Sequence, residues 1–445
     1  MAVCLICHAE SLPRIDLRYT ALASDVFHDG GFQLVQDNET IALQMQIRHR
    51  GATSLSYDKP SYAVKLYDAS GIKVDTALLG MRSDNYWILD AMAIDKARMR
   101  NRVAMDLWLE FSRKPWYYDK EPKLVNGYRG KMVEVYVNDS PQGIYCLMER
   151  VDRKQLKLKK YSETKGIQGT WYKAWDNVRS SAFYLPTTRP TETSAKYDSW
   201  EVKYPDLEDG EPITWQPLYH LLQVVQRTGA NFSDSIAEHL DIPVFTDYVL
   251  LCQLLSARDN DRKNVNLSFY QAGAERALFT PWDLDHSWGR RYNSVEEEYD
   301  QILFNNHQLY KRLNTYYHFQ DTLETRYAEL RRTYFSIEHI DSLFAPYFEL
   351  YARTGMDIVE AKLWSGHNGI VFDIPSEQQY IHDWVVKRLA YLDGQYHYTP
   401  LPPTPTNEIT TITATTSKYQ KDGKLIIQRG QTCYDIYGRI IENGQ

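Results

Sequence analysis

The chain has 445 residues, 24% of them charged, and a formal net charge of −7. This length is too great for one small hydrophobic core and predicts roughly two or three domains. No long basic run occurs, which argues against a nucleic acid as partner. No stretch of about 18 apolar residues occurs either, so we expect no membrane span. The five cysteines are scattered, which argues against a disulfide framework and against a zinc site.

The two ends of the chain carry weak signals of export. Residues 1–9 are mostly apolar and end in the small Ala9, so they resemble the end of a signal peptide whose charged start is missing. An ordinary buried first strand fits the same residues equally well. Because the tail after Pro400 also resembles short C-terminal β segments of exported bacterial proteins, we expect export to the periplasm or cell surface. A cytoplasmic location is the alternative.

Residues 10–150 are predicted to form a β-rich lobe with one helix. Strands are expected where apolar and polar residues alternate or form short apolar runs, at 32–36, 41–48, 61–67, 87–89, 131–137 and 144–149. Asp95 is expected to cap a helix over 96–110, because the apolar residues Met99, Val103 and Leu107 fall on one helical face.

Residues 151–399 are predicted to form a mostly helical lobe. Helices are expected at 215–227, 242–258, 318–335, 337–354 and 376–395, with strand character between 264 and 288. Residues 162–212 are polar and punctuated by Pro and Gly, which predicts an irregular insertion. Residues 400–445 are expected to form a stiff Pro-rich linker and a short β-like tail. The sequence thus predicts an α+β fold of two lobes, with a ligand cleft between them.

Two acidic clusters have the spacing that phosphoryl transfer from a metal-bound nucleotide requires. Asp259 and Asn264 are five residues apart, as in the catalytic loop of kinases, where the Asp handles the acceptor hydroxyl and the Asn binds metal. Asp283 and Asp285 follow an apolar strand, which places their side chains at a sheet edge. Carboxylate and amide oxygens are suitable ligands for Mg²⁺ or Mn²⁺. The alternative is a structural role, in which these acids cap turns and pair with Arg258, Arg262 and Arg290.

Several segments, taken in order, resemble the CotH (spore coat protein H) kinase family of atypical protein kinases. The segments are Ile47-Arg-His-Arg-Gly-Ala-Thr-Ser54, Lys59-Pro-Ser-Tyr-Ala-Val-Lys65-Leu, Met99-Arg-Asn-Arg-Val-Ala, the hairpin Val135-Tyr-Val-Asn through Glu149, Lys263-Asn-Val-Asn-Leu-Ser-Phe-Tyr and Pro281-Trp-Asp-Leu-Asp285. The resemblance covers roughly residues 12–395. It implies a divergent two-lobed protein-kinase-like fold that uses ATP to phosphorylate Ser or Thr of a protein substrate.

The resemblance also implies a role for each matched residue. Asp259 would be the catalytic-loop aspartate, and the metal ligands would be Asn264, Asp283 and Asp285, the last either as a ligand or as a support for His286. The residues near the nucleotide would be Arg50, Gly51, Thr53 and Ser54 in a phosphate-covering turn, Lys65 on the α- and β-phosphates, and Glu149 and Val151 in the hinge beside the adenine.

Three departures leave the activity open. The turn has one glycine rather than three, Ala52 stands where the family usually has Asn, and no acid on the first helix is an obvious partner for Lys65. The alternative to an active kinase is therefore a catalytically weak or inactive pseudokinase that acts as an exported or surface binding protein. A transferase that moves a nucleotidyl group is a third possibility.

Overall fold

A computed structural model describes residues 11–22, 26–37, 39–51, 53–207 and 209–400, and the strands of the C-terminal tail. The chain divides into two compact units, Met1–Tyr398 and Thr399–Gln445. The leader expected at residues 1–9 lies outside the described residues.

The N-terminal part is built around a closed barrel of seven strands. The elements up to residue 148 are β1 (Arg14–Arg18), β2 (His28–Gln36), β3 (Glu39–Arg50), β4 (Ser61–Tyr67), the short hairpin β5 (Thr76–Ala77) and β6 (Ser83–Asp84), β7 (Tyr86–Asp90), helix α1 (Arg100–Phe111), β8 (Gly130–Val137) and β9 (Ser140–Met148). The barrel order is β1-β2-β3-β4-β7-β9-β8, closed by a parallel pairing of β1 with β8. Ile15, Val64 and Leu147 are fully buried inside it, so alternate residues of these strands face outward toward the rest of the protein.

Helix α1 begins four residues later than the sequence pattern predicts. The Asp95 carboxylate accepts hydrogen bonds from the N–H groups of Met99 and Arg100, both at 2.7 Å. It thus satisfies the free donors at the start of the helix, but from a turn that precedes α1. Asp95 therefore caps the start of the helix as predicted. The helix itself begins at Arg100 rather than at residue 96.

Three strands lie in the segment that was expected to be irregular. Residues 162–212 contain β10 (Thr170–Ala174), β11 (Lys196–Tyr197) and β12 (Trp200–Tyr204). They pair with β13 (Asn266–Gln271) and β14 (Ala274–Thr280) in a sheet of order β11-β12-β10-β13-β14. The prediction of an irregular insertion was wrong here. β10 pairs with β13, which is distant in sequence, and β12 and β11 add to the sheet beyond β10, so the stability of these short strands comes from the sheet rather than from local sequence.

The C-terminal region of this unit is rich in helices. They are α2 (Gln216–Gln226), α3 (Ala230–His239), α4 (Ile242–Leu255), α5 (Gln308–Tyr316), α6 (Phe319–Arg331), α7 (Ile337–Thr354), α8 (Met356–Trp364) and α9 (Ile374–Gln395). Of these, α3, α5 and α8 were not predicted from the sequence. None of the helices in the described ranges combines the length and the apolar character that crossing a membrane requires. The fold is mixed α+β, as predicted.

The second unit contains a four-stranded antiparallel sheet. Its strands, in order, are β15 (Thr416–Lys421), β16 (Lys424–Arg429), β17 (Thr432–Tyr434) and β18 (Ile440–Ile441).

Buried ion pairs join the barrel region to the last two helices. Arg100 of α1 reaches Asp95 and, through its other terminal nitrogen, Glu377 of α9, each at 2.6 Å. Lys59, just before β4, contacts Glu360 of α8 at 2.6 Å. These contacts fix the outer face of the barrel against the segment that follows β14.

Candidate active site

The loop after β14 presents two carboxylates. Asp283 has a φ of +61°, a left-handed conformation that short polar residues such as Asp tolerate better than most. The loop is fixed by side chains from two other elements. The amide of Asn260 donates to the Trp282 carbonyl at 2.7 Å, and the Leu284 N–H donates to Oδ1 of Asn101 on α1 at 3.1 Å. The loop is therefore tied on both sides of Asp283.

Asn101 also joins this loop to the barrel. Its amide nitrogen donates to Oδ2 of Asp90, at the end of β7, at 3.1 Å. The Tyr128 hydroxyl donates to the same Asn101 oxygen that receives the Leu284 N–H, at 2.7 Å. Asn101 is fixed by three hydrogen-bond partners, so it sets the position of the loop relative to Asp90.

The carboxylates here repel one another. Burial first, and then the charges of Asp283, Asp90 and Asp259, raise the pKa of Asp285 well above its ordinary value. Among the described residues, Asp283 and Asp285 form no ion pair. A concentration of negative charge that no protein cation neutralises is costly, and a divalent cation would relieve it.

The arginines that could have neutralised these acids have other partners. Arg258 pairs with Glu297 at 2.6 Å and Arg290 with Glu377 at 2.7 Å. Arg262 lies 3.5 Å from Asp261. The structural alternative, in which Asp259, Asp283 and Asp285 serve as partners of these arginines, therefore finds no support in the ion pairs of the described residues.

Asp259 lies at the rim of the cluster, in a short 3-10 helix, Arg258–Asp261, that follows α4. One of its oxygens is 3.8 Å from the Lys263 ammonium and 3.6 Å from Nδ1 of His286, and about a third of its side chain (32%) is exposed. It is thus accessible to a molecule in solution. His286 contacts Asp259, whereas the sequence had suggested Asp285 as its support.

Asn264 lies just before β13 and contacts the end of β10, the strand that carries Lys173. The Asn264 N–H donates to the carbonyl of Ala174 at 3.0 Å, and Asn264 is buried with a φ of +58°. Burial lowers the pKa of Lys173, and the opposing effect comes chiefly from the charge of Asp283. The positive charge of Arg50 acts on the same lysine. The Lys173 ammonium is therefore within electrostatic range of the Asp283 carboxylate.

The turn after β3 also reaches this region. The Arg50 guanidinium lies over the ring of Trp282 with 5.7 Å to the ring centroid. Burial and the charges of Tyr292 and Asp285 raise the pKa of Tyr57 to about 12. The turn from Arg50 to Tyr57 thus lies against the loop that carries Asp283 and Asp285.

Gly51 is required within this turn. Its φ is +120°, and a Cβ atom there would lie 1.6 Å from Oγ of Ser54. Ser54 lies in the 3-10 helix Thr53–Ser56 and donates to the Arg50 carbonyl at 3.4 Å. The absence of a side chain lets Ser54 fold back on the end of β3.

Lys65 lies on the same outer face of the barrel, but farther along it. Its ammonium sits 4.3 Å from the ring centroid of Phe27 and 5.3 Å from that of Tyr86. Lys65 is four positions after Ser61 along β4, which corresponds to about 13 Å at the usual rise of a strand. The Ser61 hydroxyl contacts Asp90 at 3.3 Å. Lys65 and the acidic loop therefore lie near opposite ends of β4.

Glu149 and Val151 follow β9 and are both buried. The Glu149 carboxylate accepts hydrogen bonds from the N–H groups of Arg82 and Arg129 and from the amide of Gln155, at 2.9 to 3.0 Å. Its oxygens are thus occupied by protein donors, so a nucleotide in this region would contact the backbone rather than this side chain.

A comparison with protein-family models matches residues 47–392 to a model described as CotH kinase protein. The chain belongs to the CotH kinase family. The resemblance inferred from the sequence motifs is confirmed. Family membership implies a kinase-like function, the binding of a nucleotide and the use of ATP. A comparison with curated proteins found none that matches this chain.

The donors present in this CotH kinase suit a metal that arrives with its nucleotide. In the described part of the chain, no three His, Cys, Asp or Glu side chains form a preformed metal centre. Mg²⁺ typically binds through one or two carboxylates, with water and substrate phosphates as its other ligands. Asp283 and Asp285 meet that need, and Asn264 is a source of an amide oxygen.

Three residues of this CotH kinase site were missed from the sequence alone. Lys173 was overlooked because it lies in the segment expected to be irregular, although the β-branched and aromatic residues that open Thr170–Ala174 are a strand signal. Asp90 ends a predicted strand, and its position at the site depends on barrel register. Asn101 was noted only as part of the Arg-Asn motif, with a helix-surface position as the alternative, and the structure shows it buried.

Proposed function

We propose that this CotH kinase transfers the γ-phosphoryl group of ATP to Ser or Thr of a protein substrate, with Mg²⁺ or Mn²⁺ as the metal. The observation that carries the proposal is the group of carboxylates around Asp285. In the described part of the chain neither Asp283 nor Asp285 forms an ion pair with an arginine or lysine. The Lys173 ammonium is within electrostatic range of Asp283, and Arg50 lies over the ring of the adjacent Trp282. Phosphoryl transfer depends on positioning and charge stabilisation, and this arrangement provides both. We also propose that the β-rich part and the helical part of the chain correspond to the two lobes of a divergent protein-kinase-like fold.

The acidic residues hold the metal and orient the acceptor. Asp283 and Asp285 are the carboxylate ligands and Asn264 the amide ligand of the ion, which neutralises phosphate charge when bound. Asp259 accepts a hydrogen bond from the acceptor hydroxyl, because it is the exposed carboxylate at the rim. His286 and Lys263 orient Asp259 through their contacts at 3.6 and 3.8 Å.

The remaining polar groups bind the phosphates and the base. Arg50, with the backbone of Gly51 and the hydroxyl-bearing Thr53 and Ser54, covers the phosphates from the barrel side. Lys173 approaches them from the sheet. The lower pKa of Lys173 reflects its burial, and an anionic phosphate beside it would raise that pKa again.

The roles of Lys65 and of the hinge segment rest on the family resemblance and stay part of the proposal. We infer that the backbone around Glu149 and Val151 lies beside the adenine, at the far end of the outer face from Asp283. Lys65 is then a candidate for binding the α- and β-phosphates. It is a less favourable candidate than Lys173, because it lies far along β4 from the acidic loop.

Phosphate transfer from γ-labelled ATP tests the proposal. Purified protein is incubated with Mn²⁺ or Mg²⁺ and generic protein acceptors, and phosphoserine and phosphothreonine are identified by mass spectrometry. We expect transfer by the wild type, none by Asp283→Asn, and ATP binding without transfer by Asp259→Asn. Asp300→Asn, which changes an exposed carboxylate in a loop, is the matched control. Equal transfer by wild type and Asp283→Asn would refute the assignment.

A binding protein that keeps the scaffold without turnover is the second candidate. It is favoured by the position of the Lys65 ammonium over two aromatic rings, away from the acidic loop. Such a pseudokinase, exported or at the cell surface, would bind Mn²⁺ and ATP but leave every acceptor unmodified. An acceptor that gains the mass of a nucleotide rather than of a phosphate would instead indicate nucleotidyl transfer.

A further inference from the structure

A cavity of about 530 Å³ lies beside β6 and the end of β9. Six cationic side chains line it: Arg82, Lys123, Arg129, Arg153, Lys154 and Lys157. Only two acids, Asp84 and Glu149, line it with them. The chain as a whole carries a net charge of −7, so this concentration of positive charge is a local feature of the fold.

Part of this charge is already neutralised within the protein. Arg82 contacts Asp152 at 2.8 Å, and Lys154 lies 3.4 Å from Asp84. Lys123, Arg129, Arg153 and Lys157 form no ion pair with any described residue. These last four cations keep their charge available for a ligand, since the Glu149 carboxylate is already bound by three N–H donors.

The cavity is separate from the acidic site. Tyr128 and Arg129 are adjacent in sequence. The Tyr128 ring is buried, and its centroid lies 5.1 Å from that of the Trp282 ring. Arg129, by contrast, is exposed and lines the cavity. The two side chains thus point to different sides of the chain. None of Asp259, Asp283 and Asp285 lines the cavity. Of the two hinge residues that the proposed function puts beside the adenine, Glu149 lines the cavity and Val151 does not, so the experiment must separate the cavity from the adenine end of the nucleotide site.

We propose that this cavity binds a small molecule bearing phosphate groups, at a site other than the one for ATP. Its volume falls within the range of small-ligand sites, and a dense set of lysine and arginine side chains is the usual protein partner of phosphate. Val125 is the one apolar side chain among the described lining residues, so the wall is suited to a compact anion rather than to a nucleoside base.

Isothermal titration with inorganic pyrophosphate, without divalent metal, tests the site. Lys123→Gln/Arg129→Gln removes two exposed cations that make no side-chain contact within the described fold. Lys311→Gln/Arg332→Gln, on the exposed faces of α5 and the end of α6, changes the net charge equally and is the control. We expect the cavity variant to bind pyrophosphate about tenfold more weakly or worse, the loss of one or two charge-assisted hydrogen bonds. The control variant should bind as the wild type does, with both melting temperatures unchanged.

Metal-dependent ATP binding separates this site from the nucleotide site. We expect Lys123→Gln/Arg129→Gln to bind Mn²⁺-ATP with the affinity of the wild type, and Asp283→Asn to keep its affinity for pyrophosphate. The proposal is overturned if the wild type does not bind pyrophosphate, or if the cavity variant binds it as tightly as the control. It is also overturned if the cavity variant loses Mn²⁺-ATP, because the cavity would then belong to the nucleotide site.

Discussion

Lys59 and Glu360, 301 residues apart, form an ion pair of 2.6 Å from which water is almost entirely excluded. The same Glu360 oxygen accepts a hydrogen bond from Nε of Arg98 at 2.6 Å, and the other oxygen accepts the Ile144 N–H at 2.8 Å. One carboxylate from α8 thus satisfies two buried cations and a backbone donor of the barrel region. Its position fixes the barrel relative to the C-terminal helices.

Removal of this carboxylate should destabilise the protein strongly. We expect Glu360→Gln to lower the free energy of unfolding by about 3–5 kcal/mol, because it leaves Lys59 and Arg98 buried without a counter-charge. Urea denaturation followed by tryptophan fluorescence measures the change. Glu349→Gln, on the exposed face of α7, should change it by less than about 0.5 kcal/mol. Similar free energies of unfolding for the two variants would show that the buried ion pair does not stabilise the fold.

Asp285→Asn should stabilise the metal-free protein while it impairs nucleotide binding. The substitution removes a carboxyl whose ionisation is opposed by burial and by the charges of Asp283, Asp90 and Asp259, so a gain of about 1 kcal/mol in the free energy of unfolding is expected, a size typical of single substitutions. Thermal unfolding with and without Mn²⁺-ATP tests both effects. A lower melting temperature without metal would contradict the repulsion argument.

Metal binding should release protons in a manner that depends on Asp285. The pKa of its carboxyl is raised above the unfolded value, so the folded state holds its proton more tightly and loses stability as the pH rises through that window. Mn²⁺ with ATP must displace this proton, and its affinity should therefore fall at lower pH. Titration calorimetry in two buffers of different ionisation enthalpy counts the protons released. The Asp285→Asn protein should release fewer, and equal numbers would count against a role for Asp285 as ligand.

Lys173 and Lys65 compete for the role of phosphate-binding lysine, and kinetics can separate them. Lys173→Met should lower kcat/KM for ATP by about 100-fold or more, the cost typical of losing one preorganised charge-stabilising group. Lys65→Met should have a smaller effect, because Lys65 lies about 13 Å farther along β4 from Ser61. Lys203→Met, on the neighbouring strand β12, is the control for loss of a lysine from this sheet. A larger loss in Lys65→Met than in Lys173→Met would restore the assignment drawn from family resemblance.

Gly51→Ala should weaken ATP binding without unfolding the protein. The new Cβ atom would lie 1.6 Å from Oγ of Ser54 and overlap with it, and the alanine backbone would have to adopt a φ of +120°. The turn must therefore change shape. We expect a higher KM for ATP and a melting temperature within a few degrees of the wild type, since the turn is near the surface. Gly71→Ala has a positive φ of +79° but meets no atom within 4 Å, and it should leave KM unchanged. An unchanged KM in Gly51→Ala would remove the turn from the phosphate site.

The sequence alone determined the family, the α+β class and most of the long helices and barrel strands. It did so because apolar periodicity, capping residues and short motifs are local signals, which a segment carries whatever it later contacts. The Asp259–Asn264 spacing and the acids at 283 and 285 are signals of this kind. The chemistry of the site was therefore open to prediction before any fold was known.

Only the tertiary structure decided which groups share the site. Barrel register brings Asp90 beside Asn101 of α1, and the pairing of β10 with β13 brings Lys173 within electrostatic range of Asp283. Strands such as β10 and β12 were misjudged as irregular because the hydrogen bonds and packing that stabilise them come from residues far along the chain. Pairings of that kind leave no mark on the local pattern, which explains why Lys65 stood out in the sequence and Lys173 did not.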